Sequence, residues 1–292
     1  RWARAAQVIR TTDTLADSNG MALSAADRID PPALTCDEQG RLHAVWHSPQ
    51  TGEILYSRAY TRDVSTPRGW SSPVPLPSQT QITSWPYIAT HPLNNEIHVI
   101  FAVPYNEGRG IYHLLSNDGG ATWLTPTLVY DAAVAGWDSA DKPRLAFDAP
   151  NELLHAVWLR ANVPGKAAQQ AVVYARSRDD GKTWGQPTEI AAGAIDWPRI
   201  AVVNAGQVHV IWNQAGVGSA PEVWWQFSAD GGEKWSAPAR VRGFEEISGA
   251  TDLASDGVGG LNLVGLGKGA NGESTLLYTR LEQGDWTRRE SF

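Results

Sequence analysis

Cysteine is nearly absent: Cys36 stands alone in 292 residues. No internal disulfide can form, and no CxxC or paired-histidine spacing surrounds Cys36 to hold zinc, so neither a metal nor a cofactor is expected. Positive charge is also short, with 24 basic against 31 acidic residues and a net charge of −7. Nucleic acid, which needs a basic surplus, is therefore excluded as a partner. Long apolar runs are missing too. The stretch HVIFAV at 98–103 falls far below the roughly 20 residues of a membrane helix, and membrane insertion is not expected. No basic, apolar leader precedes Arg1. That places the start after a removed signal or inside a larger multidomain protein, either of which fits an extracellular or cell-surface location. Helical periodicity is lacking throughout.

What the chain does have is repetition. SNDGGATW (116–123), SRDDGKTW (177–184) and SADGGEKW (228–235) share one pattern. Upstream of it, His43, His98, His155 and His209 recur at steps of 55, 57 and 54 residues within HAVW or HVIW-like runs. Pro32, Pro86, Pro143 and Pro198 keep the same period, and an eroded fifth copy runs from TDLASD (251–256) to Trp286. Each copy reads as four short strands: one led by proline, one alternating around His-x-Val, one carrying Tyr56, Tyr112, Tyr174, Trp225 or Tyr278, and one opened by Trp70, Trp123, Trp184, Trp235 or Trp286. Four strands at this period are the arithmetic of an all-β propeller of antiparallel blades.

The repeats fall at about 31–84, 85–141, 142–196, 197–249 and 250–292 of a single domain spanning 1–292. Five blades are expected, and six if residues 1–30 belong to a further blade. RWARAAQVI (1–9) resembles KWSAPARV (234–241), so 1–30 is read as a ring-closing strand followed by a long loop.

The pattern S-x-D-x-G-x-T-W resembles the Asp-box, or bacterial neuraminidase repeat, of sialidases and related propellers. The resemblance implies a hairpin turn between third and fourth strands, on the face opposite the substrate site. Its residues here are Ser116, Asp118, Gly120 and Trp123; Ser177, Asp179, Gly181 and Trp184; and Ser228, Asp230, Gly232 and Trp235. A chemical site is rarely built three times, so a structural role is expected for all of them, and for the four recurring histidines. Calcium is not expected, because the loop lacks the required series of oxygen ligands.

Function is sought where the repeat breaks. Next to each aligned proline, or Thr251 in the last copy, stand Ala33, Tyr87, Arg144, Arg199 and Asp252, whereas the flanking positions hold similar residues in every copy. Innermost strands converge on a propeller axis, so Tyr87, Arg144, Arg199 and Asp252 are expected to meet at the channel mouth. Trp137 and Asp138 lie nearby in sequence, and tryptophan beside charged groups suits sugar recognition. Trp85 and Trp197 share one repeat position and are expected to seal adjacent blades. The resemblance adds Arg28 of RIDPPAL (28–34) as a counterpart of the first sialidase arginine, with Arg144 and Arg199 completing a triad. No Tyr/Glu nucleophile pair stands out from the repeat positions. The expectation is a non-catalytic propeller binding a glycan or protein ligand through its loop-rich face; the alternative is an exo-acting sialidase-like glycoside hydrolase.

Overall fold

A computed structural model describes residues 32–162, 170–215, 220–268, 272–282, 284–287 and 290–291. These residues form five sheets, each a four-stranded antiparallel meander taken in chain order. Blade 1 is β1 (Ala33–Cys36), β2 (Arg41–His47), β3 (Ile54–Tyr60) and β4 (Val74–Pro75). Blade 2 is β5 (Ser84–Thr90), β6 (Ile97–Val103), β7 (Gly110–Ser116) and β8 (Thr127–Asp131). Blade 3 is β9 (Ser139–Asp148), β10 (Leu153–Ala161), β11 (Gln170–Ser177) and β12 (Thr188–Gly193). Blade 4 is β13 (Ile195–Val203), β14 (Gln207–Gln214), β15 (Glu222–Ser228) and β16 (Ala239–Arg240). Blade 5 is β17 (Ile247–Ser255), β18 (Leu261–Lys268), β19 (Ser274–Glu282) and β20 (Asp285–Trp286), with β21 (Glu290–Ser291) also paired to β19. The proposed closing strand at 1–9 and Arg28 lie outside the described residues.

The central strands β6 and β7 are buried along their whole length because both faces are covered by neighbouring blades. Each apolar cluster joins two consecutive sheets: Val45, Ile54 and Tyr56 of blade 1 pack with Val99, Phe101 and Leu114 of blade 2. The two outer faces of the series are different. The repeat position occupied by Ile88, Leu145, Ile200 and Leu253 is 2–7% exposed in four blades, but Leu34 in blade 1 is 55% exposed. On blade 5, Leu276 is 43% exposed, where Ile54, Ile111, Val172 and Val223 at the same register are fully buried.

The three S-x-D turns have one construction. Ser116 Oγ accepts the Gly120 N–H (2.9 Å) and donates to Asp118 Oδ1, which also accepts the Ala121 and Thr122 N–H groups at 2.9 and 2.8 Å. Asp179 accepts from Ser177 Oγ, Thr183 N and Thr183 Oγ1. Asp230 accepts from Ser228 Oγ, Glu233 N and Lys234 N. The Thr122 hydroxyl and amide hold the Asp118 carboxyl down to about 2.

Each turn is also a socket for the blade before it. A Cβ on Gly120 would stand 1.9 Å from the Tyr56 hydroxyl, one on Gly181 2.2 Å from the His113 ring, and one on Gly232 1.8 Å from the Tyr174 hydroxyl. Trp123, Trp184 and Trp235 then meet Tyr56, His113 and Tyr174 edge-on at 5.0–5.7 Å. On the inner side, His43 and His155 each sit 2.7 Å from the hydroxyls of Tyr56 and Tyr174, and His98 lies 3.1 Å from His113.

The register corrects two readings of the repeat. In blade 2 the slot of Tyr56 and Tyr174 belongs to His113, paired with Ile100 as Tyr56 is with Val45; Tyr112 faces the other way and donates to the Gly108 carbonyl. The fourth strands of blades 2, 3 and 4 begin at Thr127, Thr188 and Ala239, past the tryptophans, which remain in the turns as covers.

Candidate ligand site at the hub

Because the blades are antiparallel meanders, the S-x-D turns fall at one end of every blade, and the first-strand entries with the second-to-third strand loops at the other. The entries of β5, β9 and β13 share a bulge, with a register shift just before Tyr87, before Arg144's stretch and before Arg199. Trp85, Lys142 and Trp197 occupy that bulge in the left-handed region, at φ 49°, 50° and 54°. Such conformations cost a bulky residue about 1–3 kcal/mol, and they gather where the backbone must aim a side chain.

These residues are aimed across the hub. Trp85 of blade 2 and Trp197 of blade 4 meet edge-on at 5.6 Å, although blade 3 lies between them. Lys142 of blade 3 fills the angle, its Nζ 5.4 and 4.7 Å from the two rings and ion-paired with Asp196. The expectation that Trp85 and Trp197 seal adjacent blades is thus corrected: they join alternate blades over the channel mouth.

Beneath this roof lies the slot that breaks the repeat. Arg144 and Arg199 are each 6% exposed. Arg144 stacks over the Tyr87 ring at 5.0 Å, and Arg199 lies 5.4 Å from the Trp197 ring while donating through Nε to Asp252 Oδ1 at 3.0 Å. Each arginine spends one NH1 proton on the carbonyl of its own preceding proline. Burial and the neighbouring Arg199 push the Arg144 guanidinium below its usual value, and burial pushes the Tyr87 phenol up. The phenol is therefore neutral near pH 7, and the two buried guanidinium groups face the mostly exposed Asp252 carboxylate, with Asp141 acting on Arg144 and Asp196 on Arg199 from the bulge. Arg144 Nε is buried without a hydrogen-bond partner. Low effective dielectric makes such a pair of cations a strong attractor for an anionic group.

Trp137 and Asp138 precede β9 on the same end of the molecule. Trp137 is packed under the Arg160 guanidinium at 4.0 Å, and its carbonyl accepts from Arg109 Nε at 2.7 Å, contacts that belong to blades 2 and 3 rather than to the hub. Beside the hub, a cavity of about 470 Å³ opens between blades 4 and 5, lined by Asp196, Trp197, Asn213 and Ser248 among others. From the sequence, Lys142 and Asp196 are read only as charged neighbours of the channel mouth, with no role assigned. Their signal was position alone, one and two residues ahead of an aligned proline.

The five sheets of the described residues form a β-propeller with the sialidase-like architecture. Its structure is similar to that of the Hadza microbial sialidase Hz136 (TM-score 0.64, 16% identity, over 89% of this chain and 57% of that one). It is also similar to the K499G mutant of NanB sialidase from Streptococcus pneumoniae (TM-score 0.59, 11% identity, 90% and 61%) and to a polysaccharide lyase of family PL25, an ulvan lyase (TM-score 0.63, 11% identity, 91% and 70%). The chain thus spans less than two thirds of either sialidase. No protein-family model matches the sequence, and no curated protein is similar to it. Among the described residues, no helix is long and apolar enough to cross a membrane.

Proposed function

We propose that this propeller binds an anionic glycan at the hub, without turning it over, as an extracellular or cell-surface module. Arg144 and Arg199 receive a carboxylate or sulfate of the sugar, Asp252 orients Arg199, and the Trp85–Trp197 roof packs on the C–H face of a ring. The observation that carries the reading is the burial of two guanidinium groups side by side, only Arg199 being ion-paired, to the exposed Asp252, with Arg144 Nε unpartnered among the described residues. Binding rather than hydrolysis is favoured because the only phenol in the cluster, Tyr87, is held neutral by burial and has an arginine rather than a glutamate as its contact. The second reading, an exo-acting glycoside hydrolase of sialidase type, draws on Tyr87 and Asp252 sharing this cluster with the arginines, as does the kind of protein the structural neighbours are.

A panel of immobilised uronate-, sialate- and sulfate-bearing oligosaccharides with their neutral counterparts tests the proposal. Retention of acidic members only, lost in Arg144→Ala and Arg199→Ala, supports it. Retention that survives both substitutions removes the hub as the site, and turnover of a fluorogenic sialoside converts the reading to the second one.

A further inference from the structure

The interface between blades 4 and 5 departs from the other three on both of its sides. At two of the three earlier interfaces the preceding blade offers Tyr56 and Arg58, or Tyr174 and Arg176, to the glycine turn of the next one, Arg58 donating to the Gly119 carbonyl and Arg176 to the Gly231 carbonyl; at the third these registers hold His113 and Leu115. In blade 4 the same two registers hold Trp225 and Phe227. In blade 5 the long turn is gone, since Glu282 pairs directly with Asp285 and Leu281 with Trp286. Among the described residues, the long turn that fills this space at the other interfaces is absent, and Phe227 stands where Arg58 and Arg176 grip it.

What remains is a cavity of about 350 Å³ at the end opposite the hub, lined by Asn204, Gln207, His209, Trp225, Phe227 and Leu281, with Val203 and two glycines behind them. His209, Trp225 and Phe227 form a run of near-parallel rings, 5.4–5.8 Å apart and within 21° of one another. His209 is 5% exposed and its Nδ1 has no hydrogen-bond partner, whereas the Nδ1 atoms of His43, His98 and His155 are all engaged. A buried polar atom left unpaired against a cavity is costly unless something enters to meet it.

We propose that this cavity is a second ligand site, for one neutral pyranose ring. The volume holds a single hexose. The lining carries no ionised group, because burial lowers His209 to about 4 and leaves it uncharged near pH 7. That excludes a charged ligand and separates this site from the cationic hub. The aromatic run suits the C–H face of a sugar, while the imidazole Nδ1 and the Asn204 and Gln207 carboxamides supply hydrogen bonds to hydroxyls at its edge. Among the described residues the carboxamides meet only each other, at a long 3.4 Å.

The full chain titrated with methyl β-glucoside, methyl β-galactoside and methyl α-mannoside tests this. Saturable binding of at least one, on the order of millimolar, with movement of the His209 imidazole resonances, is the expected result. His209→Phe, which keeps an aromatic ring and removes the orphan nitrogen, should raise the melting temperature yet weaken binding about tenfold; Gln207→Trp, which fills the mouth, should abolish it. Absence of saturable binding for all three sugars overturns the proposal. So does binding that leaves the His209 resonances in place, or that is unchanged in both variants.

Discussion

Acidification acts on the residues that join one blade to the next. His98, His155 and His209 are buried, and burial lowers them to about 4, about 3 and about 4. In the unfolded chain each titrates near 6.5. Folded values below unfolded ones mean that the native state refuses protons the unfolded chain accepts. Their contribution to stability is complete above pH 6.5 and is lost as the pH falls from there toward the folded values. At about pH 5 the unfolded form of each is almost fully protonated and the folded form almost fully neutral, a loss of about 2 kcal/mol per histidine and about 6 kcal/mol for three. That is comparable with the roughly 5–15 kcal/mol holding a typical domain together. His43 and His113 are lowered by burial as well and add in the same direction. Urea unfolding followed by tryptophan fluorescence, at constant ionic strength between about pH 8 and pH 5, should show the midpoint falling steeply below about pH 6.5. Equal midpoints at the two extremes would refute the reasoning, and His209→Phe should flatten the profile by about one proton.

Gly232→Ala places a methyl 1.8 Å from the Tyr174 hydroxyl at φ +85°, so it should destabilise the domain by more than about 3 kcal/mol in the same assay. Asp179→Ala removes the acceptor of three turn hydrogen bonds and should lower the urea midpoint, with no effect on glycan retention at the opposite end. Ile54→Ala should cost about 2–5 kcal/mol, but Leu276→Ala at the equivalent register less than about 1, because only Ile54 is covered. Raising the salt concentration should weaken acidic-glycan retention at the hub and leave methyl hexoside binding unaffected, since only the first ligand is charged.

The scaffold was legible because covered positions must repeat. A Leu or Ile one residue after the variable slot, bare only at Leu34 of the first blade, a histidine every 54–57 residues and a glycine in each S-x-D turn mark places where one blade touches the next in the same way. The hub was legible for the converse reason, as Tyr87, Arg144, Arg199 and Asp252 vary where their neighbours do not. His113 was missed because aromatic identity led the alignment; counting three residues back from Ser116, Ser177 and Ser228 reaches His113, Tyr174 and Trp225. The meeting of Trp85 with Trp197 could not be read in advance. It depends on the radius of the ring and on a left-handed backbone at a bulge, neither of which leaves a periodic trace.

Leu34 and Leu276, bare on the first and last described sheets, give this molecule a direction of failure. In a one-dimensional stack every blade lends stability to its neighbours, and the ends receive least. Amide exchange should therefore advance inward as two fronts, from β1 and from β19, and reach β9 and β10 last. Arg144 stands on the sheet those fronts reach at the end, whereas Asp252, which orients Arg199, stands on blade 5, so ligand recognition at the hub should weaken as soon as that blade frays.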